Sequence, residues 1–258
     1  MVEFNLMVAP NGARRSIKDH AALPVALDDI VNTAVACHAA GADAIHLHVR
    51  DDEGAHSLDA GRYREALQAL GRAVPAMAIQ ITTESAGVYA PEDQLRCLAQ
   101  LRPSAASVSV REMARDPKAA ARAYAICAEA ETQVQHILYG PSCIEQLKSW
   151  YKDGTVSVDM RDAIFVLGQY APPVLAEPDQ LEGFLANTAD LDLNWTVCAF
   201  GRKEQACLLA AIAAGGDVRI GFENNLETSD GRLLQDNAAS VTALVNAAKA
   251  AGHSLKEG

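Results

Sequence analysis

The chain is poor in basic residues, in long apolar runs, in paired cysteines and in glycine-rich loops, and each shortage bears on what it can do. It carries 22 Lys and Arg against 33 Asp and Glu in 258 residues, a formal net charge of -11. Nucleic acids and anionic bilayers are gripped by a basic face, so this balance argues against both as partners. No apolar run approaches the roughly 20 residues of a membrane span. The opening stretch, MVEFNLMVAPNGARRS, lacks the basic start and apolar core of a secretory signal. The six cysteines (37, 97, 127, 143, 198 and 207) form no CxxC and fall mostly in helix-like segments. Reduced thiols and a cytoplasmic location are the expectation. No glycine-rich phosphate loop stands out.

What the chain does have is apolar residues, half of the total, in a regular alternation of two periods. Strand-like segments at residues 3–10, 43–50, 76–84, 105–112, 132–140, 163–169, 194–201 and 217–224 are each followed by a helix-like one. In the first helix, over residues 27–41, Leu27, Ile30, Val31, Ala34 and Val35 form one stripe. Pro91, Pro117 and Pro178 stand where helices start, and Gly41 and Gly215 where they end. Eight βα units in this length, with no linker, low-complexity tract or short repeat, predict a single α/β domain over residues 1–258. Its architecture is a (β/α)8 TIM barrel rather than an open doubly wound sheet.

Such barrels carry their active sites at the C-terminal ends of the strands, which makes the residues there the first candidates. Residues two apart on a strand share a face. In AIHLHVRDDEG the outward set is Ile45, Leu47 and Val49, which leaves His46, His48 and Arg50 inward. The same parity turns Gln80, Thr82 and Glu84 inward, then Ser107, Ser109 and Arg111, and on the last strand Arg219, Gly221 and Glu223. Two imidazoles about 6.6 Å apart on one face, at roughly 3.3 Å per residue, can converge on one metal. Glu223 is a suitable third ligand, and a His2Glu set leaves positions open for substrate. His136 is expected outward or structural, His38 and His20 structural, His56 undecided, and Cys198 a packing residue.

With APNGA, HLHVRD and VRIGFENN together, the sequence resembles the β-keto acid cleavage enzymes, formerly a domain of unknown function, over nearly its whole length. The resemblance implies a metal-dependent barrel, usually with zinc, that condenses a β-keto acid with acetyl-CoA to give acetoacetate and a new acyl-CoA. It places the metal ligands on His46, His48 and Glu223 and the catalytic arginine on Arg219. The hydroxyls that hold substrate fall on Thr82 or Thr83 and on Ser107 or Ser109; parity favours Thr82 and cannot separate the two serines. Asn11, Arg14 and Asn224 complete the expected substrate contacts. The implied assembly is a homotetramer.

Two departures from the family pattern matter. An acidic residue usually follows the ligating glutamate, where this chain has Asn224, and a glutamate usually ends the first strand, where it has Arg14. An amide is no base, so Glu84 is the expected proton acceptor; the alternative is an Arg14–Glu84 pair with only an electrostatic role. Tyr89, Arg111, Glu112, Tyr139 and Gln169 are candidates to line the acyl pocket. Arg202 and Lys203 stand near a helix N-terminus that suits an anion such as a CoA phosphate. Two other readings compete: an amidohydrolase-type metal hydrolase, disfavoured because its HxH lies on the first strand, and a metal- or ligand-binding barrel without activity.

Overall fold

The computed structural model describes residues 1–169 and 172–256. Eight parallel strands close into a barrel: β1 (Leu6–Val8), β2 (Ala44–Leu47), β3 (Ala78–Thr82), β4 (Ala105–Ser109), β5 (Gln133–Leu138), β6 (Asp162–Leu167), β7 (Asn194–Ala199) and β8 (Asp217–Ile220). They pair in sequence order, with β8 against β1. Among the described residues, eight helices cover the outside: α1 (Leu27–Ala39), α2 (Ala60–Ala73), α3 (Pro91–Leu101), α4 (Pro117–Glu129), α5 (Pro141–Asp153), α6 (Gln180–Thr188), α7 (Glu204–Ala213) and α8 (Asn237–Ala250). The chain therefore has the expected (β/α)8 architecture. Among the described residues, no helix is long and apolar enough to cross a membrane.

Local chemistry explains the boundaries. Pro91, Pro117 and Pro141 open helices at positions whose missing N–H costs nothing. Asp59, Asp116 and Asp236 cap α2, α4 and α8 by accepting from backbone N–H groups of the first turn. Gly41 and Gly215 follow α1 and α7 with φ of +113° and +93°, a left-handed exit that a β-carbon would strain. Pro178, expected at a helix start, lies two residues before α6.

The main core lies between barrel and helices. Leu6, Ile45, Leu47, Ile81, Val108, Phe165, Val197 and Val218 turn outward into it and are essentially inaccessible. Each such side chain contributes about 1.5–3 kcal/mol by leaving water. Inside the barrel a smaller apolar cluster of Ile137, Ile164, Val166 and Cys198 sits beside a polar line. In that line the Gln80 amide donates to Gln135 at 3.2 Å, and Gln135 donates to Thr196 at 3.1 Å.

Every barrel strand ends at least two residues before its sequence pattern does, and β2, β4 and β8 fall shortest. β2 stops at Leu47; Val49–Arg50 leaves the barrel and pairs antiparallel with His56–Ser57. Arg50, expected inward, instead donates to the carbonyls of Asn11, Gly12, Arg15 and Gly54. It ties the first two loops together rather than facing substrate. β4 stops at Ser109, and residues Val110–Met113 form a single helical turn. β8 stops at Ile220 because Gly221, at φ +141°, turns the chain where a β-carbon would lie 2.4 Å from the Ala9 carbonyl oxygen.

Candidate active site

At the C-terminal mouth of the barrel, His46 on β2, His48 just beyond it and Glu223 after β8 bring ligand atoms within 4.8 Å of one another. The two Nε2 atoms stand 3.1 Å apart. Glu223 places Oε2 3.8 Å from His46 Nε2 and Oε1 3.7 Å from His48 Nε2. Gln80 accepts from His46 Nδ1 at 2.7 Å, which fixes the proton there and leaves the Nε2 lone pair facing its neighbours. Burial, with Arg219 nearby, pushes the His46 pKa down to about 3, so the ring is neutral at physiological pH. Neutral imidazole is the form that binds metal.

These donors fit a divalent cation. Two imidazole nitrogens facing each other at 3.1 Å can satisfy only one of their lone pairs by hydrogen bonding, and Glu223 Oε2 is buried with no hydrogen-bond partner. A divalent cation held by His46, His48 and Glu223 would satisfy all three.

Arg219 lies on the floor of the mouth. Its guanidinium is 3.4 Å from Glu223 Oε1 and 3.4 Å from the Cys198 sulfur. Burial alone would raise the Glu223 pKa, but Arg219 and the two histidines hold the carboxyl well below its usual range. Cys198, assigned to packing from the sequence, is buried in the inner cluster and also touches this arginine.

A cavity of about 80 Å³ opens above these groups, with His46, Glu223, Arg219, Thr82, Glu84, Arg14 and Arg111 in its wall. A smaller recess beside it is lined by Asn11, Gly12, Arg14, Glu84 and Glu223. Glu84 faces both. Burial raises its pKa, and Arg14, 3.9 Å away, opposes the rise. Of the two threonines, Thr82 reaches the cavity and its hydroxyl accepts from the Glu84 N–H at 3.0 Å. Thr83 points elsewhere and donates to the Ser107 carbonyl at 2.8 Å. Ser107 and Ser109 alternate with the outward Ala106 and Val108, and both hydroxyls are buried without partners.

The remaining expectations divide. Arg111, Tyr139 and Gln169 line the cavity. Glu112 binds Ser85 and Gln94, and Tyr89 donates to the His56 carbonyl, so neither lines it. Asn11 is held by the carbonyls of Pro24 and His48. Asn224 is fully buried, its side-chain amide has no hydrogen-bond partner, and it is absent from the cavity wall. His56 sits behind the ligands, its ring 5.2 Å from that of His48 and its Nε2 2.8 Å from the Glu84 carbonyl. His136 faces outward, between the Tyr124 hydroxyl and the Met160 carbonyl. Lys203 is paired with Glu177.

Several supporting residues had no individual signal in the sequence. Asn237, on α8, accepts from the Phe222 N–H and donates to the Pro10 carbonyl, tying the β8 loop to the β1 loop. Glu204 accepts from the Gly221 N–H and the Asn225 amide. Gly12 supports the ligand by being small: a β-carbon there would stand 2.6 Å from Glu223 Cγ. Gln80 is the one with a legible signal, since it shares the inward parity of Thr82.

Fold and site together define a (β/α)8 barrel with a candidate His2Glu metal centre at its catalytic end. Residues 4–257 match the model of the beta-keto acid cleavage enzyme family, and the chain belongs to that family. It is 27% identical to the 3-keto-5-aminohexanoate cleavage enzyme of Fusobacterium nucleatum, over 99% of this chain and 94% of that protein. It is 26% identical to the 3-oxoadipate:acetyl-CoA acetyltransferase of Cupriavidus necator, over 92% and 85%. Among solved structures it resembles the binary complex of ObcA with oxaloacetate, with a TM-score of 0.69 at 14% identity. That match covers 91% of this chain and 65% of the other, and it supports the barrel fold alone.

Proposed function

We propose that this chain transfers the acyl group of a β-keto acid to CoA, taking acetyl-CoA as co-substrate and releasing acetoacetate. The observation that carries this reading is the convergence of His46, His48 and Glu223 beside Arg219, in a chain that matches the family model end to end. The three ligands would hold a divalent ion, with zinc the first choice for a His2Glu set. That ion would supply Lewis-acid polarisation of the substrate's ketone and carboxylate oxygens.

The protein's own groups have separate tasks. Glu84 removes a proton from the carbon between ketone and carboxylate; burial makes it more basic than an exposed glutamate. The resulting carbanion attacks the thioester carbonyl of acetyl-CoA, a carbon–carbon bond forms, and the CoA thiolate leaves. The thiolate then adds to the substrate's original ketone. The bond between that carbon and its neighbour breaks, giving the new acyl-CoA and the enolate of acetoacetate, to which Glu84 returns the proton. Arg219, always protonated, stabilises the oxyanions that develop. The Thr82 hydroxyl, with the buried Ser107 and Ser109 hydroxyls on the neighbouring strand, supplies hydrogen bonds to the substrate. Cys198 is not needed as a nucleophile: burial raises its pKa to about 11, and CoA brings its own sulfur.

An Arg14–Glu84 pair with only an electrostatic role is the simpler account of Glu84. A 3.9 Å contact to a side chain that is 42% exposed is too weak to explain why a carboxylate is kept in the cavity. A single catalytic domain, homotetrameric assembly and a cytoplasmic location complete the reading.

The test is metal-loaded protein with acetyl-CoA and a panel of β-keto acids, with products followed by mass spectrometry. A new acyl-CoA and acetoacetate, both lost in His46→Ala, are the expected result. No acyl-CoA from any member while metal stays bound would defeat the reading.

A further inference from the structure

The cavity is positive in a strongly acidic protein. Its wall carries three arginines, Arg14, Arg111 and Arg219, and two glutamates, Glu84 and Glu223. Glu84 lies 3.9 Å from Arg14, and Glu223 lies 3.4 Å from Arg219. Arg111 is the cation left over: among the described residues it forms no ion pair. Its guanidinium is nevertheless held in place, 3.3 Å above the centre of the Tyr139 ring, with its side chain open to the mouth. Stacking of this kind fixes the plane of an arginine and leaves its edge donors free for a planar anion.

The position of Arg111 gives that anion a place. Arg111 follows β4, and Glu223 follows β8; in the closed order these strands are four apart in either direction. The two residues therefore face each other across the mouth. Ile137, Val166 and Phe200 lie in the wall between, and the first two belong to the apolar cluster inside the barrel. From the ligand side outward, the site reads as anion and ketone binders, then apolar wall, then a cation.

We propose that Arg111 determines specificity by binding a second carboxylate, at the far end of the acyl chain, so that the preferred substrates are dicarboxylic β-keto acids. This rests on the β-keto acid reading of the site. The methylene groups of such a substrate lie along Ile137 and Val166, and its terminal carboxylate meets the guanidinium edge.

The experiment uses two stages on the metal-loaded protein. Adipate and hexanoate, unreactive acids of equal length, are titrated calorimetrically into wild type, Arg111→Gln and Arg111→Lys. The wild type should bind adipate about 10- to 100-fold more tightly, the range expected for a hydrogen bond to a charged group. Arg111→Gln should bring the ratio close to one, and Arg111→Lys should retain part of it. Equal binding by the wild type, or a preference that survives in Arg111→Gln, overturns the assignment. Turnover is then compared for 3-oxoadipate and 3-oxohexanoate with acetyl-CoA. Turnover of both without preference overturns the Arg111 assignment alone. An intact adipate preference with turnover of neither defeats the reaction class and leaves Arg111 as a carboxylate site. Thermal melting of each variant checks folding; Arg111 is exposed, so little change is expected.

Discussion

The two sides of the barrel mouth are built differently. On the β8–β2 side the candidate ligands are buried and braced by named partners: Gln80 holds His46, Arg219 faces Glu223, and Asn237 and Glu204 brace the loop that carries Glu223. On the β4–β6 side, Arg111 is exposed and rests on one aromatic ring, above an apolar wall. A metal centre tolerates little displacement, so its ligands sit where packing and hydrogen bonds leave one arrangement. The side that meets the variable part of a substrate needs a shape and a charge, and a rim position supplies both. The candidate metal centre and the proposed carboxylate contact thus stand on opposite sides of the mouth, and each can be perturbed alone.

The strongest break of the rigid side is loss of a ligand. Glu223→Ala or His46→Ala should abolish bound metal, read by elemental analysis, and reduce acyl-CoA formation to background. Glu84→Gln should keep the metal and lower kcat by about 10²- to 10⁴-fold, the range for loss of a general base. Turnover close to wild type with full metal content would remove Glu84 from that role.

Changes behind the ligands should cost less. Gln80→Leu removes the acceptor that orients His46, and metal affinity measured by competition with a chelator should fall about 10- to 100-fold. Gly12→Ala should also weaken metal binding, because φ is +62° and the new β-carbon would meet Glu223. Backbone strain at that residue adds a stability loss of about 1–2 kcal/mol, seen as a lower Tm. Weaker metal binding in Gln80→Leu than in Arg111→Gln would sharpen the division between the two sides, and equal losses would erase it.

The smallest effect should be a displaced pH profile. A base must be deprotonated to act, so kcat/KM falls as pH drops through the Glu84 pKa. Burial raises that pKa, which moves the acid limb upward from where an exposed glutamate would set it. Arg14 favours the charged carboxylate, so Arg14→Ala should move the limb to still higher pH. A limb that stays in place would show that Glu84 does not set it.

Much of this was legible in the sequence. Alternating periods gave eight βα units, and parity along each strand turned His46, His48, Thr82 and Arg219 toward the barrel interior. What parity could not show is where strands stop. Arg50 and Arg111 both continue an inward pattern, yet Arg50 leaves the barrel to bind loop carbonyls and Arg111 enters a helical turn at the rim. Glu223 reaches the ligand site from a turn, not from strand extension, because Gly221 redirects the backbone.

Hydrophobic period and side-chain alternation are local properties of the chain, and they were enough to give the barrel and to put the candidate metal ligands at strand ends. That Gln80 orients His46, that Asn237 joins the first loop to the last, and that Arg111 faces Glu223 emerged only on folding. Those relations depend on closure of the barrel, which brings β8 against β1 and sets β4 opposite, and closure joins residues more than two hundred positions apart.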